Sequence, residues 1–178
     1  MKKYKDDKRV EGLLFHYLHF YGTYDFVGDS RRWYRNEIRI IRNDKSIRSF
    51  RDAQGFRKND NLLKVKEIDA FIYHYGWVKP PEKQQAKQKD FNKLWHDDNW
   101  VEKNVANTDL FDYSEFDSLE RFQGTHPKVM EQRIKSHNIE LVQDPHKKKF
   151  KSLLKYLLFI IEKKTNFRIG EYKNYKKI

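Results

Sequence analysis

Between positions 10 and 21 the chain reads VEGLLFHYLHFY, and large apolar side chains fill odd and even positions alike. A run of that length with both parities occupied predicts a strand buried on both faces. Strand-length patterns return in EIRIIRN (37–43), IRSFR (47–51) and LLKVKEI (62–68). The first two flank the turn NDKS and are expected to pair as a hairpin. IDAFIYHYGW (68–77) follows closely as a further strand, with Ile68, Ala70, Ile72, His74 and Gly76 on one face and Phe71, Tyr73, Tyr75 and Trp77 on the other. The intervening GTYDFVGDSRRWYRN (22–36) carries the Gly, Asp and Ser punctuation of a loop.

From Pro81 the period changes. PEKQQAKQKDFNKLWH opens on proline, is rich in helix formers and gathers Phe91, Leu94 and Trp95 near its end, which predicts a polar-faced helix. Asp97 or Asp98 is placed to cap a short helix carrying Trp100, Val101 and Val105, and Thr125 to cap another carrying Val129, Met130, Arg133 and Ile134. The acidic, aromatic stretch 106–124 predicts irregular structure. From about Lys147 to Lys164, the residues Phe150, Leu153, Leu154, Leu157, Ile160 and Ile161 fall on one stripe of a helix with lysines elsewhere. Such a helix packs on its own domain or a sister subunit, or rests on anionic lipid. The expectation is an α+β chain with a small mixed or antiparallel sheet, divided into a strand-rich part (1–80), a helical subdomain (81–145) and a basic amphipathic helix and tail (146–178).

Composition alters this picture in three ways. Aromatic residues make up 16% of the 178, so an aromatic-rich core is expected despite 36% charged residues. The chain has no cysteine, which excludes disulfides and thiolate metal sites and leaves a cytoplasmic location as the default. MKKYKDDKRVEG lacks the apolar stretch of a secretory signal, and YLLFII (156–161) is far short of the ~20 residues that span a bilayer. Contact with the inner face of the membrane is the peripheral variant of that location.

The net charge of +12 is regional. Residues 31–57 carry nine Lys and Arg against three acids, and 147–178 carry eleven against two, so the remainder of the chain is slightly acidic. Eight of the first nine bases are Arg, whose planar fork suits phosphate or carboxylate, while ten of the last eleven are Lys. In the first window Arg39 shares a strand face with Glu37 and Ile41 and is partly committed to packing and ion pairs. Arg31, Arg32 and Arg35 precede it in the loop, where a solvated surface and a phosphate or pyrophosphate contact both remain open.

Few motifs carry chemistry on their own. No Gly-rich phosphate loop, G-x-S-x-G elbow, H-E-x-x-H or Asp-x-Asp pair is present. His16 and His19 point to opposite faces if 10–21 is a strand and cannot chelate one metal; on a helix they would share a face. His74, a single imidazole in an apolar strand, is by spacing either a packed core histidine or a ligand presented by a strand end.

The order of segments is more specific than any one of them. VEGLLFHYLHFYGTYDF, SRRWYRNEIRIIRND, IRSFRDAQGF, IDAFIYHYGWVKPP, FNKLWHDDNW and THPKVM together resemble the later half of bacterial family 2 glycosyltransferases with a GT-A fold, over most of residues 4–145. The resemblance implies an inverting transfer of a sugar from a nucleotide sugar to a hydroxyl acceptor, in surface polysaccharide or glycan synthesis, assisted by Mg²⁺ or Mn²⁺. It also implies that the nucleotide-binding half, with its acidic metal motif, precedes the matching region, so that this chain is inactive alone and a partner chain or homo-oligomer completes it. By position in the motifs, the resemblance implies that His74 is a metal or phosphate contact, that Arg35 and Arg39 support acceptor or diphosphate, and that Asp52 is the base. Asp52 and Gln54 stand where the family usually has an acidic or His-Glu pair beside the acceptor; Trp77, closing the same strand as His74, is counted with the substrate contacts. Two other classes stay in view: a basic nucleic-acid-binding module, disfavoured because the aromatics sit inside strands, and a non-catalytic assembly module using helix 147–164.

Overall fold

A computed structural model of the chain describes residues 2–51, 55–105, 108–136, 144 and 146–178. The fold is α+β, with a six-stranded mixed sheet, a three-stranded antiparallel sheet and, among the described residues, four α-helices. The strands are β1 (Gly12–Tyr21), β2 (Phe26–Gly28), β3 (Asn36–Ile41), β4 (Ile47–Ser49), β5 (Phe56–Lys58), β6 (Asn61–Leu62), β7 (Lys64–Trp77), β8 (Leu119–Arg121) and β9 (Lys176–Lys177). The helices are α1 (Pro81–Lys93), α2 (Asp98–Asn104), α3 (Glu131–Ser136) and α4 (Leu153–Thr165). The larger sheet has the order β8-β2-β1-β7-β9, with β3 also paired to β1; the smaller has the order β4-β5-β6.

The chain divides into two compact units, and β1 and β7 each run from the first into the second. Unit 1 comprises Met1–Leu18, Tyr34–Tyr73 and Leu154–Ile178. Its core is aliphatic: Leu14, Ile38, Ile47, Leu63 and Val65 close around Tyr175, with Ile41 and Phe56 packed at the margin. Side chains of this size contribute roughly 1.5–3 kcal/mol each when fully buried. Leu14 lies opposite Ile38 in the antiparallel β1–β3 ladder, which shifts register between Leu13 and Leu14, and β9 runs parallel to β7. Arg42 serves as a clamp: its guanidinium donates to the carbonyls of Tyr4, Lys5, Asp7 and Val10 at 2.5–3.2 Å, which ties down the segment before β1.

Unit 2 comprises His19–Trp33 and His74–Leu153. Here the core is aromatic: Tyr21, Trp33, Tyr113, Phe116 and Leu119, flanked by Phe26, Trp77 and Phe111. Tyr113 and Phe116 come from the acidic loop before β8, so that irregular stretch is an internal wall of the unit. Buried hydroxyls need acceptors: Tyr21 donates to the Glu115 carbonyl at 3.2 Å and Tyr113 to the Lys79 carbonyl at 2.9 Å. Burial pushes the Tyr113 phenol up to about 12.

Several sequence expectations are corrected. EIRIIRN and IRSFR do not form a hairpin: β3 pairs with β1, and β4 pairs with β5. The cause lies in the NDKS turn, where Asp44 accepts from the Ser46 amide and hydroxyl at 2.9 and 2.7 Å and pairs with Lys58 at 3.1 Å, drawing β4 toward β5. The strand expected at 62–68 and the one at 68–77 are a single strand, β7. The loop 22–36 contains β2, which pairs with β8. Thr125 does not cap the next helix; a 3-10 turn at Lys128–Met130 begins after Pro127 and leads into α3. α4 begins at Leu153, six residues later than Lys147, because lysines at a helix N-terminus oppose its dipole, while Lys163 and Lys164 complement the last turn. Asp97 does cap α2, accepting from the Trp100 amide at 2.8 Å.

Candidate functional site

The ends of β1 and β7 in unit 2 bring imidazoles and indoles together, and two glycines make the room. Gly76 lies two residues after His74 on the same strand face, and a Cβ there would stand 2.5 Å from the His74 Nε2, so the imidazole lies back over the bare backbone. Gly28 does the same for Trp33, whose indole occupies the space a side chain would take. The His74 ring meets His19 edge-on at 5.2 Å, and His19 meets Trp33 at 5.1 Å. Trp33 contacts Trp77 edge-on at 6.0 Å, and Tyr21 touches both indoles. His19 and Trp33 are buried, while His74 and Trp77 are half-buried.

A cation borders this group. Lys87 of α1 donates its Nζ to the Gly76 carbonyl at 3.0 Å and lies 5.8 Å over the Trp77 ring. Burial, with a smaller contribution from Lys79, holds its ammonium below the ordinary lysine value. One turn earlier on α1, Gln84 is fully buried and its amide has no hydrogen-bond partner among the described residues. Arg32 reaches from the loop, donating to the Glu115 carbonyl at 2.9 Å with its guanidinium 5.6 Å over Trp33.

The opposite face of β7 holds a separate cluster. Tyr75 stacks on Phe20 at 4.7 Å, and its hydroxyl is 2.8 Å from Nδ1 of His126, which also contacts Phe20, Tyr24 and Phe122. Burial holds the His126 imidazole below its ordinary value. Trp77, expected beside Tyr75 by strict alternation, instead has its ring contacts with Tyr21, Trp33 and Phe111, at the last residue of the strand before the chain turns.

Of the residues singled out from sequence, His74 and Trp77 fall in this cluster. Arg35 and Arg39 lie in unit 1. Arg35 donates to the Asn166 side chain at 2.9 Å and lies 3.8 and 3.7 Å from Glu162 and Glu171. Arg39 pairs with Glu37 at 2.7 Å, and bonds and overlies Tyr17. Asp52 and Gln54 lie outside the described residues. Sequence reasoning missed three members: His19, read only as half of an H-x-x-H; Trp33, read as loop; and Lys87, one of several lysines on a polar helix.

The described residues do not by themselves suit Mg²⁺ or Mn²⁺. These ions take mainly oxygen ligands, whereas the cluster offers two imidazoles and no carboxylate, and no group of three His, Asp or Glu converges among the described residues. Because His19, Tyr21 and Trp33 are buried, what the cluster can present is the half-buried Trp77 ring and His74 imidazole, with the Lys87 ammonium beside them, to a group that pairs an apolar face with an oxygen-rich or anionic edge.

No family model, curated protein or solved structure matches this chain.

Proposed function

We propose that the chain is the acceptor-side portion of an inverting glycosyltransferase of the GT-A type, moving a sugar from a nucleotide sugar to a hydroxyl acceptor in bacterial surface glycan synthesis. The observation that carries this reading is the convergence of His74, His19, Trp33, Trp77 and Lys87 in unit 2. Sugars present an apolar C–H face and a hydroxyl rim, a pairing that suits the half-buried Trp77 ring edged by His74 and Lys87. In the transfer, the acceptor oxygen bonds to the anomeric carbon as the bond to the diphosphate breaks with its electron pair. The hydroxyl proton passes to a carboxylate; the resemblance suggests Asp52 for that role, and Asp52 and Gln54 lie outside the described residues. His74 and Lys87 act as hydrogen-bond donors to the charge that develops on the leaving group. Arg35 and Arg39 already hold carboxylates, so the reading rests on the unit 2 cluster.

Tryptophan fluorescence tests it. A panel of nucleotide sugars and oligosaccharides titrated into the full chain is expected to give a saturable change that Trp77→Ala removes while Trp95→Phe preserves it. No saturable change with any member of the panel, or an unaltered response in Trp77→Ala, removes the reading.

A further inference from the structure

Helix α4 turns its aliphatic side outward. Its buried residues are Phe159 and Glu162, and the Glu162 carboxylate is held by Arg168 through Nε at 2.8 and 2.9 Å and Nη2 at 2.7 Å. At 100° per residue, Leu154, Leu157 and Ile161 project from the other side, with Leu153 at the start of the same stripe. They are 66%, 49%, 40% and 72% exposed, respectively. Scattered exposed leucines need no explanation, but a continuous stripe on one helix marks an interaction surface.

Charge selects the occupant. Lys147 and Lys151 precede the stripe and Lys163 and Lys164 close its last turn, whereas Lys148 and Lys149 donate to the Ser118 hydroxyl and the Ser114 carbonyl at 2.8 and 3.2 Å. The two acids of residues 147–178 are answered internally, Glu162 by Arg168 and Glu171 by Arg35 and Lys173 at 3.7 and 3.8 Å. The surface around the stripe is therefore strongly cationic, and a second copy would bring like charge against like. A nucleic acid would answer the lysines and leave the leucines in water. An anionic bilayer answers both: acyl chains take the stripe while lysine stems lie along it and place their ammonium groups among the phosphates. Thirteen helical residues are about 20 Å long against a hydrocarbon core of about 30 Å, and no helix among the described residues is long and apolar enough to cross a membrane. We propose that α4 lies in the plane of an anionic phospholipid surface, its leucine stripe immersed and its flanking lysines on the headgroups. This inference is independent of the sugar-transfer reading.

Co-sedimentation of the full chain with vesicles tests it, using phosphatidylcholine alone and phosphatidylcholine mixed with phosphatidylglycerol. Binding is expected only to the mixed vesicles and to weaken several-fold as salt is raised. Leu157→Glu/Ile161→Glu is expected to lose roughly tenfold or more in partitioning, with far-ultraviolet circular dichroism unchanged because both positions are exposed. Lys151→Glu/Lys164→Glu, which leaves the stripe intact, is expected to lose at least roughly tenfold, since each surface cation is worth about fivefold. Failure to bind the mixed vesicles, or unaltered binding by both variants, overturns the proposal. So does a dimer in sedimentation velocity that Leu157→Glu/Ile161→Glu dissociates in the absence of vesicle binding.

Discussion

With no side chain at 76, the His74 ring lies back along its own strand, and a methyl group there would stand 2.5 Å from Nε2. Gly76→Ala is therefore expected to displace the imidazole and cost about 1–3 kcal/mol in chemical denaturation, with the His19 and His74 ring resonances moving together. Unchanged ring shifts would show that His74 does not depend on the glycine. Gln84 presents the opposite case, a buried amide with no hydrogen-bond partner among the described residues. Leaving such a group unsatisfied costs about 1–3 kcal/mol, so Gln84→Met is expected to raise stability, and a lower melting temperature would contradict that. His74 and Trp77 were legible in the sequence as unusual residues at a strand end. Lys87 was not, because nothing in a lysine-rich helix distinguishes the one whose ammonium finds the Gly76 carbonyl. Trp33 was hidden for a related reason: its berth is made by Gly28, and a glycine in a loop reads as a turn signal before it reads as space.

Turns and helix ends explain where the secondary structure departs from the pattern. The β1 run, α1 and the Asp97 cap were readable because each rests on local chemistry. The partner of β4 was not, since NDKS satisfies a hairpin signal and also the Asp44–Ser46–Lys58 bonds that draw the chain to β5. Hydrogen bonds from the Ser46 hydroxyl and amide, then from Lys58, lower the Asp44 carboxyl from 3.8 to about 2. A depressed acid pKa stabilises the fold fully above the ordinary value, and that contribution is lost as pH falls from 3.8 toward about 2. A carboxyl titration by NMR is expected to place the Asp44 midpoint near 2 and to raise it in Ser46→Ala; an unshifted wild-type midpoint would contradict the turn. The buried face of α4 carries Phe159 and the Glu162–Arg168 pair, whose side chains are 9% and 7% exposed, with Arg35 3.8 Å from Glu162 and Glu171 4.0 Å from Arg168. Glu162→Ala is expected to cost about 3–5 kcal/mol by leaving the buried Arg168 guanidinium with only the more distant Glu171, and Glu162→Met/Arg168→Met to recover most of it. Equal losses in the single and double variants would show that packing, not charge, is at stake.

Taken as one chain, the protein puts its aliphatic core in unit 1 and its aromatic core in unit 2, a division that composition alone does not reveal because both draw on β1 and β7. The regional charge was readable; its commitments were not. Arg35, Arg39 and Arg42 are occupied by carboxylates, a phenol and carbonyls, while the lysines of the last thirty residues remain largely at the surface. What distinguishes a sugar site from a merely aromatic core is whether a ligand reaches the rings. Histidine-ring and indole NMR spectra of the full chain, recorded as nucleotide sugars and oligosaccharides are added, address this most directly. At least one ligand is expected to shift His74 and the Trp77 indole while Trp95 and Trp100 stay in place, and His74→Ala to weaken the response at Trp77. Spectra in which no ligand moves His19, Trp33, His74 or Trp77 would contradict this expectation.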